Sequence, residues 1–212
     1  MTKDLFEHNY EGMCHMHEII LRTMDQIVKF DNVPEQDLHN YIGYVNAVLQ
    51  FLQDHQKGKN LVVFPPLKDV ISFDQLIHEH EEMDYRIMKI KQLLEPTDLK
   101  EFPYKELHDA IHLMRAPLVS HFNAEEELFN PANNIKTLVK VEVMTKLVED
   151  RQKYHKNGDG TISLPIIRFH LEGEKGDIFW NSLLPGFVRR VIFPLLWRKH
   201  REFWKYAYAP PN

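Results

Sequence analysis

One cysteine in 212 residues, eight glycines and a net charge of −5 set the first limits on this chain. A lone Cys14 excludes an internal disulfide framework and suits a reducing compartment, so a cytoplasmic location is expected. Scarce glycine leaves no Gly-rich phosphate loop, and neither a nucleophile elbow nor paired zinc cysteines occur. With 27% charged residues and a slight acidic balance, there is no broad basic surface for a phosphate backbone. Nucleic acid is therefore not an expected partner. No run approaches the roughly 18 to 20 apolar residues that a membrane-spanning helix needs. The opening "MTKDLFEHNYEG" puts Asp4 and Glu7 where a targeting leader avoids acids, and no leader is expected.

What the chain has in unusual number is histidine, thirteen in all. Apolar residues recur at three- and four-residue steps over most of the length, which predicts helix. Four segments stand out, at about residues 2–30, 35–57, 73–95 and 104–128, with Pro117 a candidate kink in the last. "FDNVPEQ", "FPPLKDVIS" and "EPTDLKEFP" punctuate them, and connections this short make neighbours antiparallel. The expected fold is all-α, an up-down-up-down four-helix bundle over residues 1–131. A weak internal repeat agrees: His17 to His80 is 63 residues, His55 to His121 is 66, and a proline follows the second histidine of each half by ten. Residues 132–212 are expected to form a helical, aromatic and Arg-rich extension packed on that bundle. Within it "NGDG" has no acid at the first place of a calcium loop and no Glu at the twelfth, so it is a polar turn.

His17, His55, His80 and His121 come one from each predicted helix and lie on its apolar stripe. A single inward histidine is usually a hydrogen-bonded core residue, but four, one per helix, point to a shared site. Whether all four meet at one level is a matter of packing that the sequence leaves open. Asp84 follows His80 by four residues and Glu125 follows His121 by four, about one turn, roughly 6 Å, along the same face. A buried carboxylate is costly unless paired or metal-bound, and imidazoles with carboxylates converging from several helices are how bundle cores build iron or manganese sites. His108 and His112 are also four apart but lie beside the inner stripe, and nothing near Cys14 marks an activated thiolate.

With "HEIILRTMD" from His17, "DHQKGKNLVVFPP" from Asp54, "HEEMDYRI" from His80 and "HFNAEEELFNP" from His121, the chain resembles the hemerythrin-like, HHE cation-binding proteins, particularly fungal ones, over about residues 10–131. The resemblance implies a four-helix bundle with a non-haem di-iron centre that handles dioxygen, peroxide or iron itself. By position it implies the metal ligands His17, His55, His80, His121 and Glu125, with Asp84 where many relatives have histidine. Lys59 departs from the pattern, since relatives usually present a bridging Glu four residues after the second helix's histidine. Protonated lysine has no lone pair to offer a metal. One expectation is that Lys59 reaches the pocket and pairs with Glu125 or Asp84, leaving one metal or none; the other is that the helix ends at Gly58 and leaves Lys59 in solvent.

Two rival functions follow. A metal-free pocket would bind or convert a small organic molecule, with Lys59 as general acid or nucleophile, and a purely structural or interaction protein would keep its histidines as core residues. The tail, which interleaves Arg189, Arg190, Arg198, Lys199, Arg201 and Lys205 with aromatics, either lies on an anionic membrane surface or covers the bundle with its aromatics and leaves the cations wet. Covering is the expected arrangement.

Overall fold

The computed structural model describes residues 4–209, and among these every regular element is helical. Four long helices come first: α1 (Leu5–Ile27), α2 (Glu35–Gly58), α3 (Asp74–Leu93) and α4 (Tyr104–Phe129). Asp4 starts α1 by accepting hydrogen bonds from the backbone N–H of Phe6 at 2.8 Å and Glu7 at 3.2 Å, which satisfies two free helix-end donors. Glu35 and Asp37 in the first turn of α2 complement its dipole. Pro117 stands on the exposed face of an unbroken α4. Contacts run α1 to α2, α2 to α3, α3 to α4 and α4 back to α1, a closed cycle around one interior.

The end of α2 is not the end of the helical path. Lys59–Val63 continue as one π-helical turn, closed by Phe64 N–H donating to the Lys59 carbonyl at 2.9 Å, before Pro65 and Pro66 stop it. The expectation that Lys59 lies in solvent is therefore overturned, because the backbone stays wound past Gly58 and Lys59 is buried.

The second half adds α5 (Ile135–Leu138), α6 (Val141–Lys156), α7 (Gly160–His170), α8 (Gly173–Leu183) and α9 (Phe193–Arg198), the last entered through a π-helical turn at Val188–Ile192. "NGDG" is a turn of only three residues here. Its Asp159 caps α7, accepting from Thr161 N–H at 2.8 Å, so the fourth residue of the motif, Gly160, already belongs to the helix.

Two apolar clusters make the core. The larger joins Ile20, Met24, Leu52, Met83, Leu118 and Phe122 of the long helices to Ile166, Trp180, Phe193, Trp204 and Tyr206. Gly43 marks how close this packing is, since an added Cβ would overlap the Phe203 ring. Tyr44 donates its hydroxyl hydrogen to His170 Nε2 at 2.8 Å, and Lys205 Nζ donates to Asp37 at 2.7 Å, tying both parts of the chain to α2. The smaller cluster joins Met13, Val63, Phe64, Leu76 and Phe129 to Ile135, Met144 and Leu147. Between these clusters the buried side chains are polar: His17, Gln56, Lys59, His80 and Glu125.

Candidate metal centre

The polar layer lies between Met13 and Ile20 on α1, Leu76 and Met83 on α3, and Leu118 and Phe129 on α4. Helical spacing brings His17, His80, His121 and Glu125 inward at that level, and all four are buried. Lys59 joins them through the π-helical turn, and His55 is half-buried at their side.

Glu125 is the hub. Its Oε2 lies 2.8 Å from Lys59 Nζ and 3.0 Å from His17 Nε2. Its Oε1 is buried with no hydrogen-bond partner and lies 3.8 Å from His121 Nε2. Burial opposes ionisation of this carboxyl. The Lys59 ammonium and the His17 and His55 rings together outweigh burial and hold it well below the ordinary carboxylate range. Lys59 also sits 5.6 Å from the centre of the Phe129 ring, whose face favours a cation.

Three histidines are held from behind. His17 Nδ1 meets Glu126 Oε1 at 2.8 Å, His121 Nδ1 meets Glu79 Oε2 at 2.7 Å, and His80 Nδ1 meets Asn60 Oδ1 at 2.8 Å. Each partner is an acceptor, so each ring donates its Nδ1 hydrogen outward and turns Nε2 toward the cluster. The His17 bond, ahead of the opposing effect of burial, holds the Glu126 carboxyl below its usual range. Phe122 stacks on His17 with centroids 3.9 Å apart, and Phe64 stacks on His80 at 5.8 Å, fixing both ring planes.

The consequence is sharpest at His80 and His121, whose Nε2 atoms are 2.9 Å apart. Two lone pairs at that distance repel unless a proton or another cation lies between them. Burial, then the neighbouring His121, pushes His80 down to about 4, so His80 itself is a poor holder of such a proton near neutral pH. Two donors bound at about 2.1 Å and at right angles to one cation would stand about 3.0 Å apart, close to what the pair shows. The ligand atoms of His80, His121 and Glu125 all lie within 4.8 Å of one another, as do those of His17, His55 and Glu125. Both sets are the nitrogen and oxygen donors that suit a divalent transition metal. The second set shares Glu125 Oε2 with the Lys59 ammonium, which already supplies positive charge there. Burial, then Lys59, drives His55 well below the usual imidazole range.

A groove of about 450 Å³ between α1 and α4 reaches this layer from outside, lined by Cys14, Arg22, Arg115, His17, Phe122 and Glu126 among others. Burial, then the Glu126 carboxylate, pushes the half-buried Cys14 thiol up to about 11, so it stays protonated and unreactive.

Asp84 is not part of the cluster. It is exposed on α3 and accepts a hydrogen bond from Gln53 Nε2 at 3.3 Å. Met83 takes the inward place one residue earlier, and a further 100° of helical rotation carries Asp84 out. Of the six expected ligands the structure brings five together, with Lys59. His112 is exposed and His108 only half-buried, and neither joins a ligand group among the described residues. Sequence reasoning missed Asn60, Glu79 and Glu126. Each is polar and stands next to a singled-out residue in the chain, but adjacency alone does not separate such acceptors from solvated surface. No family model, curated protein or solved structure matches the chain.

Proposed function

We propose that the chain is a hemerythrin-like metal-binding protein, an up-down-up-down four-helix bundle whose site takes one cation of the non-haem iron type. The observation that carries this is the 2.9 Å approach of the His80 and His121 Nε2 atoms, with Nδ1 of both rings held by acceptors. His80, His121 and Glu125 Oε1 would hold the cation, with His17 and His55 completing the wall on the Lys59 side. Bound iron of this kind supplies oxygen, peroxide or iron-handling chemistry.

The chain's own part is electrostatic and steric. Glu79, Asn60 and Glu126 hold the Nδ1 side of the rings so that Nε2 faces the site, and Phe64 and Phe122 pack against the rings. Lys59 replaces the charge that a second metal would supply next to Glu125, so the family's two-metal arrangement is reduced to one. A reducing cytoplasm fits both iron and the free Cys14.

The same buried ion pair supports a second reading, a metal-free pocket or a structural core, since Lys59 alone already compensates Glu125. Elemental analysis of freshly purified protein separates the two. About one iron per chain is expected, rising toward two when Lys59→Glu restores an anionic bridge. Metal-free protein that takes up no added Fe(II) or Mn(II), in wild type and variant alike, overturns the metal reading in favour of the second.

A further inference from the structure

The segment from the π-helical turn Val188–Ile192 through α9 is apolar on two opposite faces. One face is accounted for. Phe193 packs on Trp180 and Phe169 with ring centres 5.0 and 5.8 Å away, and Trp197 packs on Phe169 at 6.1 Å. Residues two apart on a helix point nearly opposite ways, so Val191 and Leu195 face outward when Phe193 and Trp197 face inward. They are 46% and 62% exposed, and Phe187, one turn earlier on the same side, is 66% exposed. A helix apolar all round is ordinarily buried all round, yet this one has nothing over its outer face among the described residues.

Charge says what suits that face. From residue 178 to residue 201 the sequence has no Asp or Glu and five cations, in a chain whose net charge is −5. Arg189 is tied to the Leu184 carbonyl at 3.0 Å and to Asn181, Arg201 pairs with Glu202, and Lys199 has Asp159 in its neighbourhood. Arg190 and Arg198 are exposed and meet no carboxylate within ion-pair distance among the described residues, and Arg198 lies over the Trp197 ring at 5.8 Å. No helix among the described residues is long and apolar enough to cross a membrane. Apolar side chains in a row, flanked by unpaired arginines, match the boundary between acyl chains and anionic headgroups.

The geometry points to Phe187, Val191 and Leu195, with Arg190 and Arg198, as a docking face for anionic lipid surfaces. Trp180, Phe169 and Phe193 hold that face rigidly while it inserts. Binding by this face needs nothing from the metal centre, and it stands if that centre proves empty.

The test is flotation of the full chain with vesicles of phosphatidylcholine alone and of phosphatidylcholine mixed with phosphatidylserine. Wild type is expected to float with the anionic vesicles only. Arg190→Glu with Arg198→Glu, and separately Phe187→Gln with Leu195→Gln, should each weaken binding by about tenfold or more. The replaced side chains are exposed, so helix content by circular dichroism should be unchanged and serves as the folding check. Wild type that ignores anionic vesicles overturns the proposal. So does a concentration-dependent dimer, seen by light scattering and abolished by the Phe187 and Leu195 changes, because the face is then covered by a second copy.

Discussion

The two helical hairpins of this protein repeat a frame, a histidine followed four residues later by an inward charged residue, and fill it with opposite signs. In α2 and its π-helical continuation the pair is His55 and Lys59; in α4 it is His121 and Glu125. The two charges do not stay in separate halves. Lys59 Nζ and Glu125 Oε2 meet at 2.8 Å in the buried layer between two apolar clusters, so each is the other's main compensation. The lesson concerns symmetry. A repeated scaffold with anions in both places would need external cations to balance them, whereas one lysine builds part of that balance into the chain. The backbones differ as well: α4 runs straight through Glu125, while α2 must widen into a π-helical turn to deliver Lys59.

Breaking the pair on one side only should produce the largest effect. Glu125→Leu strands the Lys59 ammonium in a buried layer without its carboxylate and is expected to lower metal-free stability by about 3–5 kcal/mol in urea unfolding. Lys59→Met strands the carboxylate instead and should also destabilise the metal-free chain. Added Fe(II) should restore part of that loss, because the carboxylate then has a cation to bind. Combining the two changes removes both charges, and the double variant should be far more stable than either single one, close to wild type or above it. Strict additivity of the two losses would mean that the charges do not interact.

Acid should come next in size, and it distinguishes the histidines of the two hairpins. Burial holds His80 at about 4 and His55 well below the ordinary imidazole range, so the unfolded chain binds more protons than the folded one as pH falls from about 6.5. Stability of the metal-free protein should therefore be level above that pH and decline below it. The His80 share, lost between about 6.5 and 4, is about 3 kcal/mol from the linkage of proton binding to folding. Glu125 has the opposite protonation logic, with a depressed folded value: its contribution is present above the ordinary carboxylate range and disappears only at still lower pH. His80→Gln should flatten the slope between pH 6.5 and 4, and His55→Gln should flatten it through the other hairpin. Urea midpoints at pH 7.5, 6 and 5 check both.

Much of this is legible in the sequence, and for identifiable reasons. Helical period located the four long helices to within a few residues, because Met24, Val48, Ile87 and Ile111 fall on strict three- and four-residue stripes. The same stripes named the inward histidines and Glu125. Two things were not legible. Whether the helix continued past Gly58 depended on a π-helical turn that packs Val63 and Phe64 against the second cluster, a tertiary preference with no local signature. Helix α7 contains Gly160 and Pro165, both poor helix formers, and forms because Asp159 caps its start and Ile166 and Ile167 bury its inner face. The acceptors behind the histidines were hidden for another reason. Glu79 and Glu126 look like any helix acid until the partner helix places a ring beside them.

The smallest expected effect tests the boundary of the site. Asp84 has the same four-residue relation to His80 that Glu125 has to His121, yet Glu125 is fully buried and Asp84 is exposed. The difference arises at the residue before each. Met83 is apolar and takes the inward position, so the stripe of α3 passes through His80, Met83 and Ile87 and turns Asp84 away; on α4 the stripe passes through His121, Glu125 and Phe129. Asp84→Asn should shift stability by less than about 0.5 kcal/mol and leave iron content unchanged, since it alters only an exposed contact with Gln53. Loss of iron on that change would mean that α3 rotates when metal binds, bringing Asp84 into the layer and carrying Met83 out of it.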